Sequence, residues 1–299
     1  MNAFIRVIEY WVPTADKSLL EFGGAMFGNA NRFAAATRSL CFGKGEGLPG
    51  QAWEQGRPIV LRQLSNSYFR RAKAAEADGL TCGIALPLYK GTALTAVVVI
   101  FCGDDAQSAG AIELWRNDPQ ENTDLSLADG YYGLTGDAFE FISRSIIFRR
   151  GSGLPGIAWE KQAPVFLENL GKGSGFLRAD GAVKVGINRG FAIPCAAQDG
   201  SNVVMAFLSA LATPIAQQVE VWEPASHPTD TENPAIECTF CFAEAMPESQ
   251  TIHYQVRSHG ARALIEQAFA SGVPAVHEPM IAIPVAPQGK VTAVMALYF

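Results

Sequence analysis

The chain has 299 residues, of which 48% are hydrophobic and 17% charged, and its formal net charge at pH 7 is −6. This acidic balance, without a run of Lys or Arg, argues against binding to nucleic acid or to an acidic membrane surface. No stretch approaches the roughly 18 apolar residues that a membrane span needs, the first residues lack the order of a secretory signal, and the six cysteines do not suggest a disulfide scaffold. We therefore expect a cytoplasmic protein with room for two or three domains.

The first predicted element is a strand that carries the pattern Glu-x-Trp. This pattern occurs three times, at residues 9–11, 113–115 and 220–222. In the first copy Ile8 and Tyr10 share one face of the strand, and Glu9 and Trp11 share the other. We expect the aliphatic face to point inward and the Glu/Trp face to lie at a pocket or a neighbouring domain. Copies spaced by about one domain length indicate a tandem repeat.

A longer repeated motif follows the first strand. Gly47–Pro58, GLPGQAWEQGRP, returns at Gly153–Pro164 as GLPGIAWEKQAP. Its proline and glycines predict a tight turn, after which AWEQ begins a short helix and a strand resumes at the final proline. We expect Trp53 and Trp159 to anchor this helix in the core rather than to stack on a ligand.

The next segment predicts a helix that lies across the sheet. Phe69 and Arg71 occur in the stretch Ser67–Gly79, and Phe176 and Arg178 are their counterparts in the second repeat. An arginine at the same place in both copies can pair with a ligand carboxylate or phosphate. The alternative is a solvated helix residue whose stem packs over the sheet.

A long apolar strand closes each repeat. In the first, residues 93–102 have apolar side chains on both faces, so both faces must be covered. In the third repeat the segment from Pro274 to Pro284 is much shorter than its counterparts, which predicts that the helix across the sheet is missing there.

This ordered set of motifs resembles the GAF family of sensory domains. The resemblance implies an α+β fold class: an antiparallel sheet of five or six strands, flanked by short helices, with a ligand pocket roofed by loops and a helix. We expect three tandem GAF-like modules, residues 1–106, 107–216 and 217–299, the third a degenerate copy without the lid helix. Short connections between the repeats predict rigid packing around a common centre.

The resemblance leaves three functions open. The first is a non-enzymatic sensory or regulatory protein that binds a small molecule and acts through a protein partner. The second is an interaction or dimerisation scaffold whose pockets are filled by their own side chains, with a homodimer as one assembly. The third is a thiol-dependent enzyme resembling free-methionine-(R)-sulfoxide reductase, although Pro49 and Pro155 stand where that enzyme has a cysteine.

No catalytic residue, cofactor or ligand identity follows from the sequence. The candidate ligand-binding residues are Tyr68, Phe69, Arg71, Cys82, Phe176, Arg178 and Cys195. A further group, Cys238, Cys241, His253 and His259, approaches the spacing of a zinc site. Because its cysteines lie in a predicted strand, three residues apart, they should point to opposite faces, and we expect no metal there.

Overall fold

The computed structural model describes residues 3–103, 109–171, 175–225, 235–244 and 261–299. Within these residues the strands form three antiparallel sheets, accompanied by short helices. None of the helices in these ranges is long and apolar enough to cross a membrane.

The first sheet has six strands. They are β1 (Ile5–Pro13), β2 (Leu19–Met26), β3 (Cys41–Gly43), β4 (Ile59–Leu61), β5 (Leu80–Lys90) and β6 (Ala93–Gly103). Their order in the sheet is β3-β2-β1-β6-β5-β4. The helices of this part are α1 (Asn31–Thr37), α2 (Gly47–Gln55) and α3 (Ala72–Ala77).

The second sheet repeats this plan. Its strands are β7 (Gly110–Asn117), β8 (Leu125–Tyr131), β9 (Ile147–Phe148), β10 (Val165–Leu167), β11 (Ile187–Cys195) and β12 (Asn202–Ala210). Their order, β9-β8-β7-β12-β11-β10, matches that of the first sheet position by position. The helices are α4 (Gly136–Arg144), α5 (Gly153–Lys161) and α6 (Ala179–Lys184).

The third sheet is a shorter version of the same order. Its strands are β13 (Gln218–Pro224), β14 (Ile236–Ala243), β15 (Ala275–His277), β16 (Met280–Val285) and β17 (Ala293–Tyr298), and residues 261–271 form a helix, α7. The order is β14-β13-β17-β16-β15. Only Glu278 and Pro279 separate β15 from β16, so the helix that crosses the first two sheets is missing here, as the sequence predicts.

A single apolar core lies between the three sheets. Ile8 of β1, Ile100 of β6, Phe207 of β12 and Met295 of β17 all belong to it, and each is at most 1% exposed. The aliphatic face of the first strand therefore points inward, as predicted, but it is this face and not the Glu/Trp face that meets the neighbouring sheets. The opposite face of each sheet has a separate core beneath its own helices, and Trp11 lies in the first of these. Both faces of the central strand β6 are covered, as its apolar sequence requires.

Three equivalent contacts join the sheets in a closed ring. The carbonyl of Gly56, at the end of α2, accepts a hydrogen bond from the backbone N–H of Gln198 at 2.9 Å. The corresponding carbonyl of Gln162, after α5, accepts one from Thr292 Oγ1 at 2.6 Å. The carbonyl of Gly272, after α7, accepts one from Thr95 Oγ1 at 2.7 Å. Each helix end thus contacts a hairpin of the next sheet, and the third sheet returns to the first.

The repeated GLPG motif begins a helix rather than preceding one. Helix α2 starts at Gly47, so Pro49 lies in the first turn, where proline is tolerated because its missing N–H has no partner within the helix. A Cβ at Gly50 would lie 2.1 Å from the carbonyl oxygen of Gly43, and one at Gly156 would lie 2.1 Å from that of Arg149. The motif therefore lets the start of the helix pack directly on the backbone of the preceding strand.

Candidate functional site

The predicted pocket of the first repeat lies under the segment that leads into α3, and an ion pair occupies it. Arg71 donates from Nη2 to Glu9 Oε1 at 2.6 Å and from Nη1 to Glu9 Oε2 at 2.7 Å. Its Nη1 also donates to Thr37 Oγ1 of α1 at 2.6 Å. Both charged side chains are at most 2% exposed. We call α3 and the segment that leads into it the first lid, and α6 and the segment that leads into it the second lid. Arg71 thus connects the first lid to the sheet and to α1.

Aromatic rings enclose the guanidinium of Arg71. Its Cζ lies 4.4 Å from the ring centroid of Phe33 and 5.1 Å from that of Phe69. Trp11 donates its indole N–H to Glu9 Oε1 at 2.8 Å. Rings at this distance stabilise a desolvated cation, and the indole helps to satisfy the buried carboxylate. Within the described residues, Arg71 Nε is the one polar atom of the pair without a hydrogen-bond partner.

The second repeat builds the same arrangement with different partners. Arg178 Nη2 donates to Glu113 Oε2 at 2.7 Å, and Nη1 contacts Glu113 Oε1 and Ser143 Oγ. Tyr132 donates its hydroxyl to Glu113 Oε1 at 3.1 Å. Burial and the Glu113 carboxylate raise the pKa of Tyr132 above its ordinary value, so the phenol stays protonated as a donor. Trp115 donates to Glu113 as Trp11 does to Glu9.

The described part of the third repeat has the buried glutamate but no arginine paired with it. Glu220 is 2% exposed, and within the described residues its carboxylate accepts hydrogen bonds only from uncharged donors. These donors are Gln218 at 2.5 Å, Trp222 at 2.9 Å and Tyr298 at 3.1 Å. Burial, followed by the Glu220 charge, raises the pKa of Tyr298. Within its described residues, the repeat without the lid helix thus also has no arginine paired with its glutamate.

The other predicted pocket residues differ in exposure. Tyr68 is 47% exposed, whereas Phe69 and Phe176 are buried beneath the lid segments. An open groove of about 440 Å³ lies outside the second lid, where Phe176, Leu177 and Arg178 help to line it. The side chain of Arg178 is 0% exposed, so its guanidinium does not reach this groove.

Cys82 and Cys195 lie on the other side of their sheets from the arginines. Cys82 belongs to the shared central core, and Cys195 packs against that core at the end of β11. Burial raises the pKa of the Cys195 thiol to about 12. A reactive cysteine needs a lowered pKa and an exposed sulfur. These positions do not support thiol chemistry beneath the lid.

The predicted orientation of Cys238 and Cys241 is wrong. Thr239 is an extra residue in β14, so that Cys238 pairs with Trp222 and Cys241 pairs with Glu220. Because Trp222 and Glu220 share a face of β13, this bulge places both cysteines on one face. The described residues hold no group of three or more metal-ligating side chains, and His253 and His259 lie outside those residues.

Sequence reasoning missed the partners of the arginines. Glu9 and Glu113 appear only as parts of the Glu-x-Trp strand, and Thr37 and Ser143 are far from either motif in sequence. One signal was available: the glutamate and the arginine occur together in the two repeats that have the lid helix. That co-occurrence indicates an ion pair between the two residues that holds the lid to the sheet.

Comparisons with known proteins found matches among solved structures alone. No family model and no curated protein matches this chain. Among solved structures, the nlh2 GAF domain of A. aeolicus is 20% identical over 33% of this chain and 59% of that chain, with a TM-score of 0.27. An S. aureus NreA mutated in its nitrate-binding site is 17% identical over 33% and 76%, with a TM-score of 0.28. S. aureus fRMsr in complex with substrate is 19% identical over 33% and 56%, with a TM-score of 0.26.

The chain has a GAF-like fold, as its sequence motifs predict and as the antiparallel sheets with their short helices support. At these identities and TM-scores the structural matches give no argument about activity.

Proposed function

We propose that the chain is a non-enzymatic interaction protein, a scaffold that associates with a second copy of itself. It is built from three tandem GAF-like units, residues 1–106, 107–216 and 217–299, the last without a lid helix. The common strand order of the three sheets and the repeated Glu-x-Trp strand support this division.

The observation that carries the proposal is the pair of buried ion pairs beneath the lids. Arg71 and Arg178 direct their guanidinium groups to Glu9 and Glu113 of their own sheets, and neither side chain is more than 2% exposed. A ligand anion would have to displace a buried carboxylate to reach either arginine, and that carboxylate would lose its charged partner. The buried ion pairs therefore support a structural role for the two arginines rather than ligand binding.

The outer surface of the second lid supports a protein interface. Four exposed apolar side chains of α4 and the segment around α6 form what we call the lid surface: Phe141, Ile142, Leu177 and Val183. Phe141 is 73% exposed and Val183 is 61% exposed. The repeat places Ala35, Arg70 and Glu76 at the positions of Phe141, Leu177 and Val183 in the first unit. At these three matched positions the second unit is apolar where the first has alanine and two charged residues, and an exposed apolar cluster is typical of an interaction surface.

The charges around the lid surface favour a second copy of the chain as the partner. Acids and bases occur together on both helices: Glu140 and Arg144 on α4, with Asp137 as a further acid in its sequence, and Asp180 and Lys184 on α6. In a twofold interface each residue of one copy faces the same surface of the other. Charges of both signs on one surface can then pair with their opposites across the axis.

Sedimentation velocity between about 1 and 100 µM tests this proposal. We expect a concentration-dependent dimer, and Phe141→Ser should raise its dissociation constant at least about tenfold, because an aromatic at the centre of an interface carries much of the binding energy. Ala35→Ser, at the equivalent position of the first unit, is the matched control and should leave the constant unchanged. A monomer at every concentration would contradict the proposal.

A second candidate function is a small-molecule sensor that acts through a partner. The groove of about 440 Å³ beside Phe176 and Leu177 supports it. Nucleotides, amino acids and haem can be compared by thermal shift. A rise in melting temperature that is lost in Leu177→Arg, the first unit's residue at that position, would favour the sensor. Cys82 and Cys195 lie away from both lids, so a reductase has the least support.

A further inference from the structure

A cavity of about 400 Å³ lies where the three sheets meet. We call it the junction cavity. Three hairpin turns surround it: Gly91 lies between β5 and β6, Ala196, Ala197, Gln198, Gly200 and Ser201 lie between β11 and β12, and residues 287–289 lie between β16 and β17. Asp199 of the second turn is not part of the lining and pairs with Arg116 at 2.9 Å. The remaining wall comes from Trp159 and Gln162 at the end of α5. No single sheet forms this cavity, which exists only because the ring closes.

Hydrogen bonds between the sheets fix the walls of the junction cavity. Gly91 donates its N–H to the carbonyl of Gly289 at 2.6 Å. The backbone N–H of Gln198 donates to Gly56, and Thr292 donates to the carbonyl of Gln162. A Cβ at Gly289 would lie 2.4 Å from the carbonyl oxygen of Gly91, so this approach of two turns requires glycine. The cavity is thus largely preformed, as small-molecule sites usually are.

The lining of the junction cavity carries no charge. Its residues are glycine, alanine, proline and valine, together with one tryptophan, three glutamines, one asparagine, one serine and one cysteine. The cysteine is Cys195, whose pKa is raised to about 12 by burial, so the thiol is neutral at physiological pH. A charged ligand would lose its hydration without gaining a counter-charge. The site therefore selects an uncharged molecule.

The side-chain amides of two glutamines and one asparagine provide the polar groups of the junction cavity. Within the described part of the chain, the side chains of Gln198 and Gln288 make no hydrogen bond, and both residues are exposed at the rim. Asn202 donates its Nδ2 to Asn117 at 2.9 Å, which leaves its Oδ1 as an acceptor. Each glutamine amide offers both donors and an acceptor. Together these groups match hydroxyls, which also donate and accept.

Trp159 gives the junction cavity one aromatic wall. The indole is half-buried against the core of the second sheet, so one side of it is supported by packing. A flat apolar ring beside neutral amides fits a molecule with a C–H face and a hydroxyl-bearing edge. Trp53, its counterpart in the first unit, does not line this cavity, although the sequence motif around it is nearly the same.

We propose that the junction cavity binds an uncharged polyhydroxylated molecule, with the dimensions of a monosaccharide or disaccharide. One face of the sugar ring packs on Trp159, and its hydroxyls exchange hydrogen bonds with Gln198, Gln288 and Asn202. This site is separate from the lids and from the lid surface, and it does not depend on self-association.

Isothermal titration and saturation-transfer NMR on the full chain test this proposal. The probes are D-glucose, N-acetyl-D-glucosamine and maltose, each up to about 50 mM, with glucose 6-phosphate as the charged counterpart of glucose. We expect saturable binding of at least one neutral sugar, and binding of the phosphorylated sugar at least about tenfold weaker.

Variants locate the binding. Gln198→Ala/Gln288→Ala changes two exposed turn residues without altering the core and should weaken sugar binding at least about tenfold. Trp159→Leu should weaken it similarly, whereas Trp53→Leu, the matched control, should leave it unchanged. Absence of saturable binding by every neutral probe, or equal affinity in the double glutamine variant, would overturn the proposal.

Discussion

Replacing Arg71 with methionine should lower the free energy of unfolding by about 3–5 kcal/mol. Glu9 is 0% exposed, and the substitution removes its charged partner while leaving the carboxylate inside the apolar core. Trp11 is an uncharged donor to Glu9 and replaces only part of that interaction. Urea denaturation followed by far-UV circular dichroism measures the change, provided that the midpoint shifts at constant slope.

Two controls distinguish the effect of breaking the buried ion pair from the effect of removing any arginine. The double variant Glu9→Gln/Arg71→Met removes both charges, and most of the lost stability should return, because a buried pair contributes far less than the cost of breaking it. Arg70→Met removes the neighbouring arginine, which pairs with Glu46 at the surface and is 50% exposed. That variant should lose at most about 1 kcal/mol. A similarly small loss in Arg71→Met would show that the pair does not stabilise the fold.

Replacing Phe207 with alanine should cost about 3–5 kcal/mol as well, for a different reason. Phe207 is 1% exposed in the core shared by the three sheets, where its ring lies 6.4 Å from that of Phe191. The substitution leaves a cavity that strands from other sheets cannot fill without moving. Leu211→Ala, at a residue that directly follows β12 and is 54% exposed, is the matched control, and its effect should stay within about 0.5 kcal/mol.

Hydrogen exchange shows how far the effect of Phe207→Ala extends. Because the sheets share one core, amide protection should fall in β6 and β17 as well as in β12. Loss of protection confined to the second sheet would contradict a shared core and would indicate that the three sheets unfold independently.

Much of the fold could be predicted from local sequence patterns. Alternation at Ile8 and Trp11 separated the two faces of the first strand, and the missing stretch between Pro274 and Pro284 predicted the lost lid helix. Both inferences rest on neighbouring residues, whose side-chain directions are set by the period of a strand or by chain length. Where a bulge interrupts that period, as at Thr239, the same reasoning put Cys238 and Cys241 on opposite faces and was wrong.

The candidate site was harder to predict because it depends on contacts between distant residues. Arg71 and Glu9 are far apart in the chain, and no local pattern predicts that the residue before α3 points inward to meet a carboxylate on a strand. The junction cavity is less accessible still to sequence reasoning, since Gly91, Gln198 and Gln288 meet only after the ring closes. The sequence repeat predicts the strands and helices within each unit, but it does not predict how the units are arranged.

NMR of the arginine guanidinium groups in ¹⁵N-labelled protein tests most directly whether Arg71 and Arg178 hold the lids to their sheets or bind a ligand. We expect resolved, slowly exchanging Nη–H signals for both arginines, unlike those of exposed Arg70. These signals should not change when nucleotides or amino acids are added. Rapid exchange of these signals, or a shift of either arginine on addition of a small molecule, would contradict it.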